Sequence, residues 1–162
     1  MADVDTPRAL LVMAVQDLHD GEVAMAERLG KVHRCLADKA LRDLVEQDET
    51  RAGEQRKELA EIAEALDAAP EGADNIWLRA ILDDADNDCS TIARGPLRDI
   101  ALAGALRKGK QAQRVSYVTA RALAGALEMD EAARALLEMT ERAQAADETL
   151  AVAQQRLCDD LR

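Results

Sequence analysis

The stretch PLRDIALAGALRKGKQAQRVSYVTARALAGAL, residues 96–127, decides the fold. Residues three and four apart share a helix face. Read at that spacing, the stretch sets Ile100, Ala103, Leu106, Lys110, Gln113, Tyr117, Ala120, Ala124 and Leu127 along one stripe. Apolar residues hold both ends, and a cation with an amide interrupts the middle. Three other segments repeat the design. The first reads Leu11, Val15, Leu18, Glu22, Met25, Leu29, Val32 and Leu36, with one carboxylate at its centre. The second reads Leu41, Leu44, Asp48, Arg51, Gln55, Leu59, Ile62 and Leu66. The last reads Met129, Ala133, Leu136, Thr140, Ala143, Asp147, Leu150, Gln154 and Leu157. Four long helices, each polar halfway along the face it buries, describe a bundle with a polar centre. That centre is where bundles build metal and cofactor sites.

The rest of the composition agrees. Hydrophobic residues make up 48% of the 162 but aromatics only 1%, so the core is Ala, Leu, Val, Ile and Met. Ala is the best helix former. Pro7, Pro70 and Pro96 stand at segment edges, and no alternating β-branched run reads as a strand. The chain is expected to be all-α and, at this length, a single domain over residues 1–162.

Helices are expected over about residues 7–36, 40–68, 76–93, 96–127 and 129–160, after a frayed terminus at 1–5. Thr6-Pro7 reads as an N-cap with a first-turn proline, Asp74-Asn75 as a second cap, and Pro70-Glu71-Gly72 and Gly95-Pro96 as breaks. On the short helix, Ile76, Trp77, Ala80 and Ile81 form the expected apolar side. Tight turns join the first two long helices and the last two, while a longer segment with its own helix joins the pairs. Two antiparallel hairpins linked by one long crossover make an up-down, ferritin-like four-helix bundle.

Several chemistries are excluded on charge and spacing. The net charge of −11 argues against nucleic acid, whose phosphates need a clustered basic face. No apolar run approaches the roughly 20 residues that span a bilayer, and no charged n-region with an apolar h-region opens the chain. The expected compartment is therefore the cytoplasm, without membrane attachment. Cys35, Cys89 and Cys158 show no C-x-x-C and no disulfide or zinc spacing, and are expected to be reduced small hydrophobes. The acidic run at 83–88 opens like a calcium loop, but it lacks the sixth-position Gly, and position twelve counted from Asp84 is Gly95. A solvated acidic face is expected there. Ser90 and Ser116 have no base on their faces, and Gly104 and Gly109 follow no strand, so nucleophilic catalysis and a phosphate loop are both unsupported. The two glycines read better as points of close helix approach or of a local bend.

The order and spacing of certain segments resemble the YciE/YciF-type ferritin-like proteins of bacteria. The segments are Asp17-Leu18-His19-Asp20-Gly21-Glu22, Thr119-Ala120-Arg121-Ala122-Leu123-Ala124, Met129-Asp130-Glu131-Ala132-Ala133 and Ala146-Asp147-Glu148-Thr149-Leu150. The similarity runs over about residues 10–66 and 96–152. It implies a stress-associated or accessory role, often as a homodimer, and a dimetal centre with carboxylates from all four helices and some histidine. Glu22 falls where the first helix supplies its carboxylate and Asp147 matches an acid of the last. The remaining positions depart from the pattern. Arg51 stands where the second helix should offer its acid, Asp48 where His is usual, Lys110 and Gln113 where the third helix should ligate, and Arg142 and Ala143 where acids are expected.

A cation at a ligand position repels a divalent ion at short range in a low-dielectric interior. His19 and His33 both lie on the first helix, off the Glu22 stripe, and read as a solvated face. The expectation is therefore a non-catalytic scaffold or interaction protein with no cofactor. Its bundle centre is a polar network of Glu22, Asp48, Arg51, Lys110, Gln113 and Asp147, with Lys110 pairing Glu22 and Asp147. The alternative is an iron or manganese oxidoreductase ligated by Glu22, Asp48, Glu54 and Asp147. A third reading is a small-ligand carrier with a cavity left by Gln113, Thr140 and Ala143. Ala101, Leu102 and Ala105 lie off the inner stripe, and Ile76 and Trp77 also need cover, so a homodimer is expected, with an unidentified protein partner beyond it.

Overall fold

Thr6 stands in extended backbone, and its hydroxyl accepts the Ala9 N–H at 3.1 Å with Pro7 in the first turn. That cap starts α1 (Pro7–Cys35). Asp38 caps α2 (Lys39–Ala65) by accepting the Leu41 N–H at 2.9 Å, and Asn75 caps α3 (Ile76–Thr91) by accepting the Leu78 N–H at 2.9 Å. Gly95, at φ +147°, turns the chain into α4 (Pro96–Ala126), and α5 (Asp130–Asp159) completes the fold. The computed structural model describes residues 4–162. Of the expected frayed terminus, residues 1–3 lie outside the described residues, and Val4 and Asp5 precede α1 as exposed, non-helical chain.

α2 stops at residue 65 rather than 68. Asp67 takes a left-handed conformation, φ 53°, and the Ala68 N–H donates back to the Ala63 carbonyl at 3.0 Å. The same device ends α4, with Glu128 at φ 58° and the Met129 N–H on the Ala124 carbonyl at 3.0 Å. Both are Schellman-type ends, which satisfy the last carbonyls while turning the chain.

α1 packs on α2 and α4 on α5, giving two hairpins; α1 also meets α4 and α2 meets α5, closing a ferritin-like four-helix bundle. The inner stripes of α1 and α4 are buried as the spacing predicts, apart from the half-buried ends Ile100 and Leu127. Two apolar cores result. One gathers Met25, Leu29, Val45, Leu102 and Leu150, the other Leu11, Val15, Leu59, Leu136 and Met139. The polar middles of the stripes lie between them.

α3 covers the seam between α1 and α4, and here the expected face is wrong. Ile76 is 69% and Trp77 75% exposed, while Leu78, Leu82 and Ala85 are buried. The helix's rotation is set at its N-terminus. The Asn75 carboxamide donates to the Asp17 carbonyl and carboxylate, both at 3.2 Å, and its backbone N–H donates to Asp20 at 2.8 Å. Asn75 and Leu78 enter a notch made by two glycines. A Cβ on Gly21 would lie 2.9 Å from the Asn75 amide nitrogen, and one on Gly109 3.2 Å from Leu78. Gly104 similarly admits Gln154.

Two further expectations about α3 are corrected. Its acidic run is not merely solvated, since Arg28 of α1 pairs with Asp83 at 2.7 Å and Asp86 at 2.9 Å, and Lys31 reaches Asp86 at 3.1 Å. Cys35 and Cys89 are not separate thiols: they form a disulfide joining the ends of α1 and α3, Cα atoms 5.8 Å apart, and only Cys158 is free. Sequence spacing carried no sign of the pair, because the two residues become neighbours only when α3 folds back along α1.

Candidate functional site

Glu22 is the centre of the polar layer. It stands on the buried face of α1 between Leu18 and Met25 and is only 1% exposed. Gln55 Nε2 of α2 donates to its Oε1 at 2.9 Å, and Gln113 Nε2 of α4 donates to the same oxygen at 2.8 Å. The Tyr117 hydroxyl donates to that oxygen as well. Burial pushes the Glu22 carboxyl up to about 7, and Asp48 adds to the rise. The Lys110 charge and the bonds from Tyr117 and Gln55 act the other way. Burial, then the Glu22 charge, holds the Tyr117 hydroxyl well above its usual value. A buried carboxyl with this balance is half protonated near neutrality.

Lys110 does not pair with Glu22 and Asp147, the partners expected from the sequence. Its Nζ lies 3.1 Å from Asp48 Oδ2, and the two side chains are 8% and 7% exposed. The layer therefore has two parts: a buried ion pair between α2 and α4, and beside it a carboxyl surrounded by two amides and a phenol.

The remaining expected residues lie elsewhere. Arg51 is exposed, because the inner stripe of α2 runs Asp48, Ala52, Gln55, Leu59, and Ala52 occupies the inward position. From Asp48 both i+3 and i+4 continue a helical stripe, and burying the smaller apolar residue avoids desolvating a cation. Glu54 is exposed too. Asp147 turns from the centre to the seam between α4 and α5, where it accepts from Arg107 Nε at 2.7 Å and Gln111 Nε2 at 3.2 Å. Arg142 joins α5 to α2 through Glu58 at 3.0 Å. Gln113 is brought to Glu22, whereas Thr140 bonds its own helix at the Leu136 carbonyl. Gln55 and Tyr117 stand on the stripes but outside the network expected from the sequence. The signal was available, because a buried Tyr finds a partner for its hydroxyl.

The donor chemistry does not fit the dimetal centre that the fold brings to mind. Such a site needs about four carboxylates, usually with two histidines. Here Glu22, Asp48, Glu54 and Asp147 do not converge, and among the described residues no group of three or more His, Cys, Asp or Glu is placed to hold a metal ion. The groups around Glu22 turn N–H and O–H hydrogens toward its Oε1 and offer it no second carboxylate. Nor is there room for a ligand. The space beside Gln113 and Ala143 is about 10 Å³, on the scale of one water at most.

His19 is the other displaced residue. Instead of facing solvent it is 7% exposed, covered by the loop after α2, and lines a separate cavity of about 580 Å³. His33 is half-buried.

Comparison with known proteins gives a family and a fold. A family described as "Domain of unknown function (DUF892)" matches residues 6–160. No curated protein matches. The structure is similar to that of the E. coli stress protein YciF, with a TM-score of 0.91 and 19% identity over 96% of this chain and 98% of that one. It is also similar to YcfI from Rhodopseudomonas palustris, with a TM-score of 0.87 and 21% identity over 92% and 95%. At these identities the likeness shows the bundle fold alone.

Proposed function

The chain belongs to the DUF892 family of YciE/YciF-type ferritin-like proteins, and from that premise we propose that it is a non-catalytic scaffold whose bundle centre holds no metal. The observation that carries the reading is the Glu22 layer. A carboxyl receiving three donors on one oxygen, beside a Lys110–Asp48 pair, puts hydrogen-bond donors and a cation where a dimetal centre needs carboxylates and histidines. What such a layer supplies is specificity: it holds two apolar cores in one register, the best-attested use of buried polar groups. The name of one structural neighbour, a stress protein, suggests a stress-associated role for this chain as well, and the other carries a provisional description as a structural protein.

The partner that best suits the uncovered apolar surface is a second copy of the chain. Ile76 and Trp77 stand together at the start of α3, and Leu10, Met13 and Val115 border a groove between α1 and α4. As for compartment, no helix among the described residues is long and apolar enough to cross a membrane. A cytoplasmic location is part of the proposal. The Cys35–Cys89 disulfide counts against it, since such bonds persist in oxidising surroundings and are rare in the cytosol.

The deciding experiment is metal analysis of protein incubated with iron or manganese and then desalted. The reading expects less than about a tenth of an equivalent, unchanged in a Glu22→Ala variant. One or two equivalents that disappear on that substitution would establish the oxidoreductase alternative instead.

A further inference from the structure

The 580 Å³ cavity beside His19 is of the size that holds small molecules. Its walls come from α1, α2 and residues 70–74, and they are preformed. Gly72 has φ +141°, a conformation that favours glycine, and any Cβ there would lie 2.8 Å from the Gln16 carboxamide. Gln16 in turn donates to the Ala69 carbonyl at 3.0 Å, pinning the loop to α1. Asp20, at one edge, is fixed by Arg79 and by the Asn75 N–H.

Within these walls polar groups are left without protein partners. His19 is 7% exposed, and neither ring nitrogen makes a hydrogen bond among the described residues, so its donor and its acceptor are open to whatever fills the cavity, water included. Arg56 of α2 and Glu71 and Asp74 of the loop line the same cavity as exposed side chains and make no ion pair among the described residues. The imidazole feels both sides. Burial lowers its pKa most, Glu71 raises it and Arg56 lowers it. Val23, Ala60, Pro70 and Ala73 supply apolar wall between the charges.

Opposite charges that share a cavity without meeting restrict what can bind. A simple anion would suit Arg56 but be opposed by Glu71 and Asp74, and a simple cation would meet the reverse problem. A divalent metal lacks ligands, as no suitable group of three is present among the described residues. We propose that this cavity binds a small zwitterion, its carboxylate on Arg56 and His19 and its ammonium on Glu71 and Asp74, with a short aliphatic spacer along the apolar wall. The site goes beyond the scaffold reading and does not rest on it, since no residue of the Glu22 layer lines this cavity.

The test is calorimetric titration of the intact protein with ω-amino acids from glycine to 6-aminohexanoate, each beside the alkyl carboxylate and alkylamine of the same length. One spacer length should bind at least about tenfold more tightly than both of its single-charge analogues. Arg56→Gln and Glu71→Gln should each weaken it by about tenfold or more. Both side chains are exposed, so the variants are expected to fold, with unchanged circular dichroism. His19→Phe, which keeps the ring and removes the nitrogens, should also weaken binding. Three results would overturn the proposal: no binding by any member at about 10 mM, equal binding by a carboxylate or amine alone, or binding indifferent to both charge substitutions. None of these would alter the metal content expected of the bundle centre.

Discussion

Glu22 sits with its carboxyl at about 7, against an ordinary value of 4.5. Between those two values the folded chain keeps a proton that the unfolded chain has lost, so this group makes stability fall as pH rises. Its contribution is complete below pH 4.5 and gone above about 7. Glu22→Gln, which keeps an acceptor for Gln55 and Gln113, should flatten that slope when urea unfolding is followed across pH 4.5–7. His19, lowered by burial, contributes a slope of opposite sign below 6.5, so the reading is the difference between parent and variant. A variant with the parent's slope would mean that Glu22 is not the group that titrates. In the same polar layer, Lys110→Met leaves Asp48 buried without its partner and should cost roughly 3–5 kcal/mol. Converting Asp48 to Leu at the same time should restore most of that loss, and a double-mutant cycle with no coupling would rule the pair out as a stabilising unit.

At the scale of elements, α3 is the least committed. It buries only Leu78, Leu82 and Ala85, and polar devices hold the rest: the Asn75 cap, Arg79 on Asp20, and Arg28 on Asp83 and Asp86. Asn75→Ala removes the cap and its bonds to Asp17, with an expected cost of about 1–2 kcal/mol. Local opening free energies follow the density of buried contacts. Amide exchange across residues 76–91 should therefore accelerate in this variant while the four long helices stay protected; uniform acceleration would show that α3 and the bundle unfold as one unit. The disulfide tethers the other end of the same helix. Thiol titration in denaturant without reductant should find a single thiol, Cys158, and three would show that Cys35 and Cys89 are reduced in the protein as isolated.

For the whole molecule the open question is what covers Ile76 and Trp77. Exposed large apolar residues that stand together mark contact surfaces. Sedimentation at tens of micromolar should give a dimer, and Ile76→Asp with Trp77→Asp should return it to monomer, whereas a monomeric parent would remove the second copy as the partner. Both substitutions lie outside the buried side of α3, so the fold should survive them.

By itself the sequence determined the four long helices, the inner stripes of α1 and α4 and the placing of polar residues midway between two apolar cores. Helical periodicity is a local property, and stripes as regular as those of α1 and α4 leave one face to bury. Caps were legible for the same reason at Thr6 and Asn75. Tertiary structure decided the rest. Whether Arg51 or Ala52 turned inward depended on the desolvation cost of a cation against its neighbours in space. Lys110 could have met any carboxylate at its level, and the offset between α2 and α4 chose Asp48 while Arg107 took Asp147. The face of α3, the Cys35–Cys89 bond and the covering of His19 all follow from where the crossover folds back, onto a notch formed by Gly21 of α1 and Gly109 of α4. Such outcomes join residues that are distant in the chain, and no spacing within a single helix encodes them.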